Sequence, residues 1–516
     1  MHDIEVLLAL LGVAAGAVWL ARALGIPYPI LLVLAGVGVG YLPGVSEIEV
    51  APEVIFLVFL PPLLHAAGWV SSPRHLRTYA SGVALLAGGL VLVTTGAVAV
   101  VAHAVIPDLT WGAAFVLGAI VSATDTVAAA AAFRRLGVPA RVVAIVEGES
   151  LVNDGTALAL YRTAAAAAVA ASFSLADAAR ELLLVGTGGA ALGLAVGWLV
   201  RRVRMRIDDD LIEITVTLLT AYLAFVGAEE LGLSGVLAAV TSGLYLGVKQ
   251  SQDFSASTRL KAYGFWEVLV FLLESLLFIL IGLQFPHVLD ELADRSTGEL
   301  VWWAAAVSGT VIGVRLLWVM AVPGLGPFSR RERAVVGWSG MRGAIALAAA
   351  LAMPLEIPQR EALLFVTLAV IAVTLGLQGL TLPLLIRRLG VEEDAGADER
   401  VKALTRFRTV EAALATIADL AFTGDEVPPA LVDRAREMYG ERSRQLAGEC
   451  RVPEAGGSDL DPVGWLELRR RLLDAERQAL LDVLDEGSVP LAVIREVERD
   501  LDLEEERLNR TPVAAA

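Results

Sequence analysis

Three acidic side chains lie within ten residues, Glu147–Thr156, of a segment that is otherwise apolar enough to be buried in lipid. A carboxylate near the centre of a bilayer is costly unless it is paired, hydrated or bound to an ion, so such groups are usually functional. A helix that starts after Arg141 would carry Asp154 roughly 18 to 20 Å into a hydrocarbon core about 30 Å thick. We therefore predict that Asp154 binds an ion; a hydrogen-bonded structural carboxylate is the alternative.

The neighbours of Asp154 add further polar groups to the same predicted helix. Ser150 precedes Asp154 by four residues and shares its face, and Asn153 shares a face with Glu149 in the same way. Glu147 is seven residues before Asp154 and nearer the cytoplasm, where we expect it to line the route by which ions reach the site. The spacing predicts a polar stripe on an otherwise apolar helix.

A second polar cluster, Ser122–Thr126, interrupts the preceding apolar segment. Three hydroxyl groups surround Asp125, and short polar side chains of this kind compete for backbone hydrogen bonds and weaken a helix. A helix broken at mid-membrane exposes carbonyls and helix ends that can bind ions. We predict a break here; a polar contact between intact helices is the alternative.

The third cluster, Gly337–Ala344, places Arg342 between glycines inside an apolar segment. A buried arginine needs a counter-ion, and we predict Glu149 as its partner; such a pair would hold the sixth and twelfth helices in register, whatever its net contribution to stability. The alternative is an arginine that snorkels to the cytoplasmic surface. Arg315 is also expected to snorkel, whereas Glu274 lies deeper in its helix and has no predicted partner.

The composition of the chain is that of a membrane protein. Of its 516 residues, 56% are hydrophobic and 19% charged, and the mean hydropathy is +0.67. The net charge of -16 comes mostly from the C-terminal end, and no region is basic enough for a nucleic-acid partner. A single cysteine, Cys450, excludes an intrachain disulfide and a cysteine-cluster metal site.

Segments of roughly 17 to 25 mostly apolar residues have the length of a membrane-spanning helix. Thirteen are predicted, at 4–23, 27–43, 53–70, 79–105, 110–133, 142–170, 180–200, 210–228, 232–248, 265–285, 300–322, 334–353 and 362–385. Basic loops alternate with acidic or neutral loops along the chain, and basic loops favour the cytoplasmic side. We therefore predict an outside N-terminus and a cytoplasmic C-terminus in the cell membrane.

These segments divide the chain into a transmembrane domain at 1–389 and an acidic cytoplasmic tail at 390–516. In the tail, helices are predicted near 399–422, 428–447, 462–486 and 490–509, between stretches that contain Gly, Pro and Ser. Asp461 before Pro462 is typical of an N-cap and a first-turn proline. The tail has no glycine-rich nucleotide-binding fingerprint. A structural tail and a regulatory or partner-binding tail both remain open.

The motifs together resemble a known family. Gly148–Asp154, Ala123–Asp125, Gly340–Ala344 and Phe59–Leu64 are similar, in type and order, to motifs of the sodium/proton exchanger branch of the monovalent cation/proton antiporters, of the bacterial NhaP type. With the helix count, the resemblance covers about residues 1 to 389. It implies an all-helical membrane fold of about thirteen helices built from inverted repeats, with interrupted fifth and twelfth helices that cross near the site. It also implies a homodimer.

By position, the resemblance assigns cation and proton binding to a set of residues: Asp154, Asn153, Ser150, Thr124 and Asp125. It assigns a structural ion pair to Glu149 and Arg342. Two departures matter. Thr126 replaces a proline that commonly follows the helix-five aspartate, and His65 with Ala66 replaces an aromatic residue and an acid after the helix-three motif. We expect His65 to be structural.

These features predict a secondary transporter that exchanges Na⁺ for H⁺ by alternating access, electroneutrally and without a cofactor. Transport of K⁺ or Li⁺ is the alternative within the same fold, because selectivity depends on cavity geometry. An uncoupled cation channel would share the polar lining, and a membrane scaffold acting through the tail would not need Asp154. Enzymatic activity is not expected, because no histidine or cysteine accompanies the serines in a nucleophile motif.

Overall fold

The computed structural model describes residues 2–24, 27–42, 51–71, 73–125, 127–170, 175–392, 395–423, 427–446, 462–487 and 489–510. All regular elements in these ranges are helices, as the sequence predicts. The first half of the chain forms α1 (His2–Leu24), α2 (Tyr28–Gly40), α3 (Pro52–Val70), α4 (Pro73–Thr78), α5 (Ala80–Ala84), α6 (Val91–Val105), α7 (Trp111–Ser122), α8 (Val127–Leu136), α9 (Ala140–Ala170), α10 (Leu175–Arg204), α11 (Asp210–Glu230) and α12 (Gly235–Asp253).

The remainder continues in the same way, and two π-helical turns, Leu85–Leu90 and Thr374–Gly379, lie within helical runs. The later helices are α13 (Ala256–Glu291), α14 (Thr297–Ala321), α15 (Arg330–Trp338), α16 (Ala344–Leu351), α17 (Arg360–Val373), α18 (Leu380–Leu389), α19 (Ala395–Thr423), α20 (Pro429–Leu446), α21 (Pro462–Glu486) and α22 (Leu491–Arg510).

Seven helical runs in the described residues are long and apolar enough to cross a membrane. They are Glu53–Val70, Ala80–Val105, Leu184–Arg204, Asp210–Glu230, Ala256–Glu291, Thr297–Ala321 and Arg360–Leu389. Other apolar helices are shorter, among them Tyr28–Gly40 and Trp111–Ser122. The multi-pass architecture is therefore confirmed, while the count of thirteen crossings stays a prediction.

Both predicted interruptions are present. The fifth predicted span is divided into α7 and α8, and Ala123–Asp125 between them is not helical. The twelfth is divided into α15 and α16 by Ser339–Gly343. The first break forms without the proline that commonly follows the aspartate; Thr126 itself lies outside the described residues.

Glycines let α7 approach its neighbours closely. A Cβ on Gly118 would overlap the Thr95 carbonyl of α6, and a Cβ on Gly112 would overlap the backbone of Ala168 in α9. Small residues allow this close backbone approach between membrane helices. The first half of the broken span is thereby packed directly against the helix that carries Asp154.

The chain forms two compact units. The first contains Met1–Asp253 and Tyr263–Glu392, and its core is a continuous apolar cluster. The second contains Phe254–Ala262 and Glu393–Ala516, with apolar cores around Leu472 and Leu480. The four tail helices lie close to their predicted positions, and α21 begins at Pro462 as predicted. The predicted cap residue Asp461 lies outside the described residues.

Candidate ion-binding site

The polar face of α9 hydrogen-bonds to the break between α7 and α8. Ser150 Oγ donates to the Thr124 carbonyl at 2.9 Å. Asn153 Nδ2 donates to Thr124 Oγ1 at 2.9 Å and to the Ser122 carbonyl at 3.2 Å. These bonds satisfy backbone and hydroxyl acceptors that a broken helix leaves inside an apolar protein. Three of the predicted site residues, Ser150, Asn153 and Thr124, are thus brought into direct contact.

The two breaks are joined to each other. The Asp125 backbone N–H donates to the Met341 carbonyl at 2.8 Å, so each broken span satisfies a polar group of the other. A Cβ on Gly343 would overlap the Asp125 carboxylate. Glycine is therefore required at position 343 for the two breaks to cross at this distance.

Arg342 stabilises the second break from within. Its guanidinium is buried and donates from Nη1 to the Gly340 carbonyl at 3.0 Å. Its backbone N–H donates to Thr374 Oγ1 at 3.2 Å, at the start of the π-helical turn. The arginine therefore does not snorkel to the surface but holds the backbone of the interruption.

Asp154 is buried beside these contacts, with 5% of its surface exposed. Its Oδ1 atom has no hydrogen-bond donor among the described residues, and the same holds for Asn153 Oδ1. Asp125 and Glu149 are close enough to Asp154 for their charges to interact. Hard cations bind carboxylate, amide, hydroxyl and carbonyl oxygens. The arrangement can therefore hold either a proton on Asp154 or a small cation among these oxygens.

The predicted partner of Glu149 was wrong. Both carboxylate oxygens of Glu149 accept hydrogen bonds from Arg315, one of them from Nη2 at 2.8 Å. Arg315 Nη2 also donates to the Val336 carbonyl at 3.0 Å. Arg342 is near enough to Glu149 for electrostatic attraction but is hydrogen-bonded to Gly340 instead. The structural ion pair is therefore Glu149–Arg315, and it links α9 to α14.

Arg315 was expected to reach the cytoplasmic surface, yet its side chain is only 1% exposed. Gly340 makes room for it, because a Cβ there would overlap the Arg315 side chain. The general rule that an intramembrane charge faces a partner could have indicated Arg315. The identity of that partner could not be read from the sequence, since the two residues are 166 positions apart.

Three other predicted polar residues have distinct surroundings. Glu147 is exposed. His65 is buried, lies 3.0 Å from Ser242 Oγ through Nδ1 and stacks on Trp266 at 5.4 Å, which fits a structural role. Glu274, which had no predicted partner, accepts a 2.9 Å hydrogen bond from the Tyr28 hydroxyl.

Two interrupted helices that meet beside a buried carboxylate, in an all-helical apolar chain, define a membrane transporter of the broken-helix class. The fold matches that of the sodium proton antiporter MjNhaP1 of Methanocaldococcus jannaschii, with a TM-score of 0.66 over 76% of this chain and 99% of that one, at 20% identity. Residues 6–388 match the family model described as sodium/hydrogen exchanger, transmembrane. The chain belongs to this sodium/hydrogen exchanger family.

Relatives extend the similarity through the tail. An uncharacterized Na⁺/H⁺ exchanger of Mycobacterium tuberculosis is 35% identical, over 93% of this chain and 91% of its own. The low-affinity Na⁺/H⁺ antiporter NhaS1 of Synechocystis is 30% identical, over 96% and 97%. A sodium, potassium, lithium and rubidium/H⁺ antiporter of Bacillus subtilis is 29% identical, over 90% and 72%.

Proposed function

We propose that this protein exchanges Na⁺ for H⁺ across the cell membrane and that Asp154 carries both in turn. The observation that carries the proposal is the buried Asp154 carboxylate, which has an Oδ1 atom without a donor and lies beside the joined breaks. A buried carboxylate with an oxygen that lacks a hydrogen-bond donor is costly when ionised, so a bound proton or cation stabilises it. Family membership supports the same assignment.

Competition between the two substrates follows from charge. When Asp154 is protonated, it loses the negative charge that attracts the cation. When it is ionised, Asp154 binds Na⁺ together with oxygens of Asn153, Ser150, Thr124 and water, while Asp125 adds negative charge near the site. A low pH on one side of the membrane therefore releases the cation on that side.

One exchangeable carboxylate predicts one cation for each proton. Glu149 does not add a second exchangeable charge, because Arg315 already neutralises it. Asn153 is an amide and carries no proton in exchange. Transport is therefore electroneutral.

The preferred cation is Na⁺, the ion for which the mycobacterial and cyanobacterial relatives are named. The name of the Bacillus subtilis relative includes potassium, lithium and rubidium, so K⁺ and Li⁺ are the alternatives that an assay must include. An uncoupled channel is the alternative mechanism.

We also propose that the N-terminus lies outside the cell, that residues 390–516 form a cytoplasmic tail and that the protein is a homodimer. Cys450 is the only cysteine, so its labelling reports on the tail alone. A membrane-impermeant maleimide should label Cys450 only after intact cells are permeabilised. Light scattering of the purified protein should give the mass of two chains.

The function is tested in inverted membrane vesicles with an imposed pH gradient, to which Na⁺, Li⁺ or K⁺ is added in turn. Wild-type vesicles should lose the gradient on adding Na⁺, and Asp154→Asn vesicles should not. Asp290→Asn removes the same charge from an exposed position at the end of α13 and should behave as wild type.

Three outcomes would contradict the proposal. Full exchange by Asp154→Asn would show that another group carries the ions. The rate of exchange can be compared with and without a membrane potential clamped by valinomycin and K⁺. A rate that changes under the clamp would exclude electroneutral exchange. Cation flux without proton movement would favour a channel.

A further inference from the structure

Two adjacent residues near the C-terminal end of α9 bond to different parts of the first unit. Tyr161 donates from its hydroxyl to the Ala352 carbonyl at 3.1 Å, at the end of α16. Arg162 donates from both Nη atoms to the two carboxylate oxygens of Glu229, in the last turn of α11. Helix α16 follows the second break, whereas α11 belongs to neither broken span. Arg162 therefore joins the helix that carries Asp154 to a helix outside the joined breaks.

Glu229 is fixed on its own side of this contact. Its Oε1 atom also accepts a hydrogen bond from the Gly235 backbone N–H at 2.9 Å, at the start of α12. The Ser234 N–H, one residue earlier, donates to the Val185 carbonyl of α10 at 3.1 Å. The carboxylate is thus tied to the region where α10, α11 and α12 pack together.

Helix α12 packs in different ways against two of its neighbours. Against α10 the backbones themselves meet, because a Cβ on Gly193 would overlap the Ala238 carbonyl. Against α9 a Cβ on Gly155 would meet only the end of the Leu237 side chain. A side-chain end can change its rotamer as helices move, whereas closely packed backbones must separate before they can slide. The boundary between α9 and α12 therefore allows a shift that the boundary between α10 and α12 resists.

The ion pair across this boundary is partly open to solvent, since the Arg162 side chain is 40% exposed and that of Glu229 is 24% exposed. Ion pairs that reach solvent contribute little to stability, because water solvates the separated charges. The buried Glu149–Arg315 pair, by contrast, is costly to separate. The Arg162–Glu229 pair can therefore break and reform while the protein works.

We propose that Arg162 and Glu229 are positioning residues of the exchanger: their ion pair holds the C-terminal end of α9 against α11 and opens each time the ion site is exposed to that side of the membrane. The inference rests on the proposed exchange function, which requires Asp154 to be reached from both sides in turn. Arg162 lies eight residues after Asp154, roughly 12 Å further along α9. The pair is thus placed between the level of the ion site and that end of the helix.

A second two-pronged pair provides a matched control. Arg201 of α10 donates to both carboxylate oxygens of Asp253, at the end of α12, at 2.6 and 2.9 Å. It joins the two helices whose backbones meet at Gly193 and Ala238. A covalent link between positions 201 and 253 should therefore restrict no movement that transport needs.

The first test joins the helices reversibly in a chain without its natural cysteine, Cys450→Ser. The double variants Arg162→Cys/Glu229→Cys and Arg201→Cys/Asp253→Cys are each bridged with a short bifunctional methanethiosulfonate reagent, and mass spectrometry measures the bridged fraction. Bridging positions 162 and 229 should abolish Na⁺-dependent proton movement in proportion to that fraction, and dithiothreitol should restore it. Bridging positions 201 and 253 should leave the rate unchanged.

Full exchange by the protein bridged at 162 and 229 would overturn the proposal, as would an equal loss in the control. Failure of wild-type vesicles to exchange any cation would instead count against the proposed function. If the 162/229 double variant is inactive before it is bridged, a labelling experiment that does not need transport decides.

Labelling uses Leu158, which lies between Asp154 and Arg162 on α9 and is 2% exposed. Leu158→Cys, again in the Cys450→Ser chain, is treated with a membrane-impermeant maleimide in right-side-out and in inverted vesicles. Adding Glu229→Gln should speed labelling severalfold from one side of the membrane only, because the pair no longer holds that end of α9.

Two further variants separate the pair from a general loss of packing. Adding Asp253→Asn, which breaks the control pair, should leave the labelling rate unchanged. Arg162→Lys, which keeps the charge, should label more slowly than Arg162→Gln. Equal labelling with and without Glu229→Gln would overturn the proposal, and so would faster labelling from both sides.

Discussion

Two carboxylates of α9, five residues apart and both buried, have opposite surroundings. Glu149 has both oxygens bonded to Arg315, which is itself 1% exposed. Asp154 has an Oδ1 atom without a donor, next to a break stabilised by Ser150 and Asn153. The helix therefore holds one neutralised charge and one incompletely satisfied charge.

Under the proposed function, this difference separates a structural carboxylate, Glu149, from the carboxylate that carries the ions, Asp154. A paired carboxylate gains little from binding a proton or a cation, because its counter-ion is already present. An unsatisfied one gains much, since burial without partners is unfavourable. Two buried carboxylates of one helix therefore differ in their affinity for a proton or a cation, and the difference comes from the helices that surround each of them.

The largest expected effect is the loss of exchange in Asp154→Asn with no loss of stability. The amide has nearly the same shape and removes a charge that lacks a full set of donors, so the melting temperature in detergent should be unchanged or higher. Sodium-dependent proton movement should fall to the level of vesicles without the protein. A variant that is inactive because it melts early would remove the contrast between Asp154 and Glu149.

Glu149→Gln, in contrast to Asp154→Asn, should lower the stability of the protein. Breaking a buried pair by removing one partner costs about 3–5 kcal/mol, because Arg315 keeps an uncompensated charge. The melting temperature should fall markedly and the yield should drop. The double variant Glu149→Gln/Arg315→Leu, which removes both charges, should regain part of the lost stability. Equal melting temperatures for Glu149→Gln and Asp154→Asn would contradict the comparison.

A third buried carboxylate, Glu476 in α21 of the tail, extends the comparison between Glu149 and Asp154. Burial raises the pKa of Glu476 from 4.5 to about 7, although Arg442 lies 3.6 Å away. Because the folded-state pKa is the higher one, the contribution to stability is greatest below pH 4.5 and declines as the pH rises towards 7. At about 1.4 kcal/mol per pKa unit, the rise in the Glu476 pKa from 4.5 to about 7 corresponds to a change of about 3 kcal/mol in the free energy of unfolding.

Glu476→Gln should remove this pH dependence and stabilise the tail at pH 8. Hydrogen exchange of α21 amides in the full-length protein, corrected for the intrinsic effect of pH, would measure it. Glu486→Gln, at the exposed end of the same helix, should keep the wild-type dependence. A wild-type protein whose tail is equally stable at pH 5 and pH 8 would contradict the assignment.

The smallest effect is expected for Ser150→Ala. It removes the 2.9 Å bond from Ser150 to the Thr124 carbonyl, and a single hydrogen bond contributes about 0.5–1.5 kcal/mol. The KM for Na⁺ should rise a few-fold while the maximal rate changes little. Ser150→Thr, which keeps the hydroxyl, is the control, and an unchanged KM in Ser150→Ala would remove Ser150 from the site.

The breaks could be predicted because their causes are local. Hydroxyl groups around Asp125 and glycines around Arg342 weaken helices wherever they occur. The tail helices could be placed for the same reason, since prolines begin α20 and α21 and Gly487 follows α21. In α13 the apolar segment predicted at 265–285 understates the helix, because its polar first turns are stabilised by contacts with the tail.

Partners distant in sequence could not be predicted. Glu149 and Arg315 are 166 positions apart, and Arg259 and Asp502 are 243 apart. Charge and burial indicate that each needs a counter-ion, but only the packing of the helices selects it. The sequence therefore indicates which charged residues need partners but does not identify the partners: Arg342 is the predicted partner of Glu149, and Arg315 is the partner in the structure.

The crossing of the two breaks has a consequence for natural variation. Since a methyl group at position 343 would collide with the carboxylate at position 125, the two positions cannot change independently. The Asp125 Cβ itself would lie 2.5 Å from a Cβ at 343, so family members with alanine at 343 should have glycine at 125, and those that keep aspartate at 125 should keep glycine at 343. Two positions far apart in the chain should therefore covary across the family.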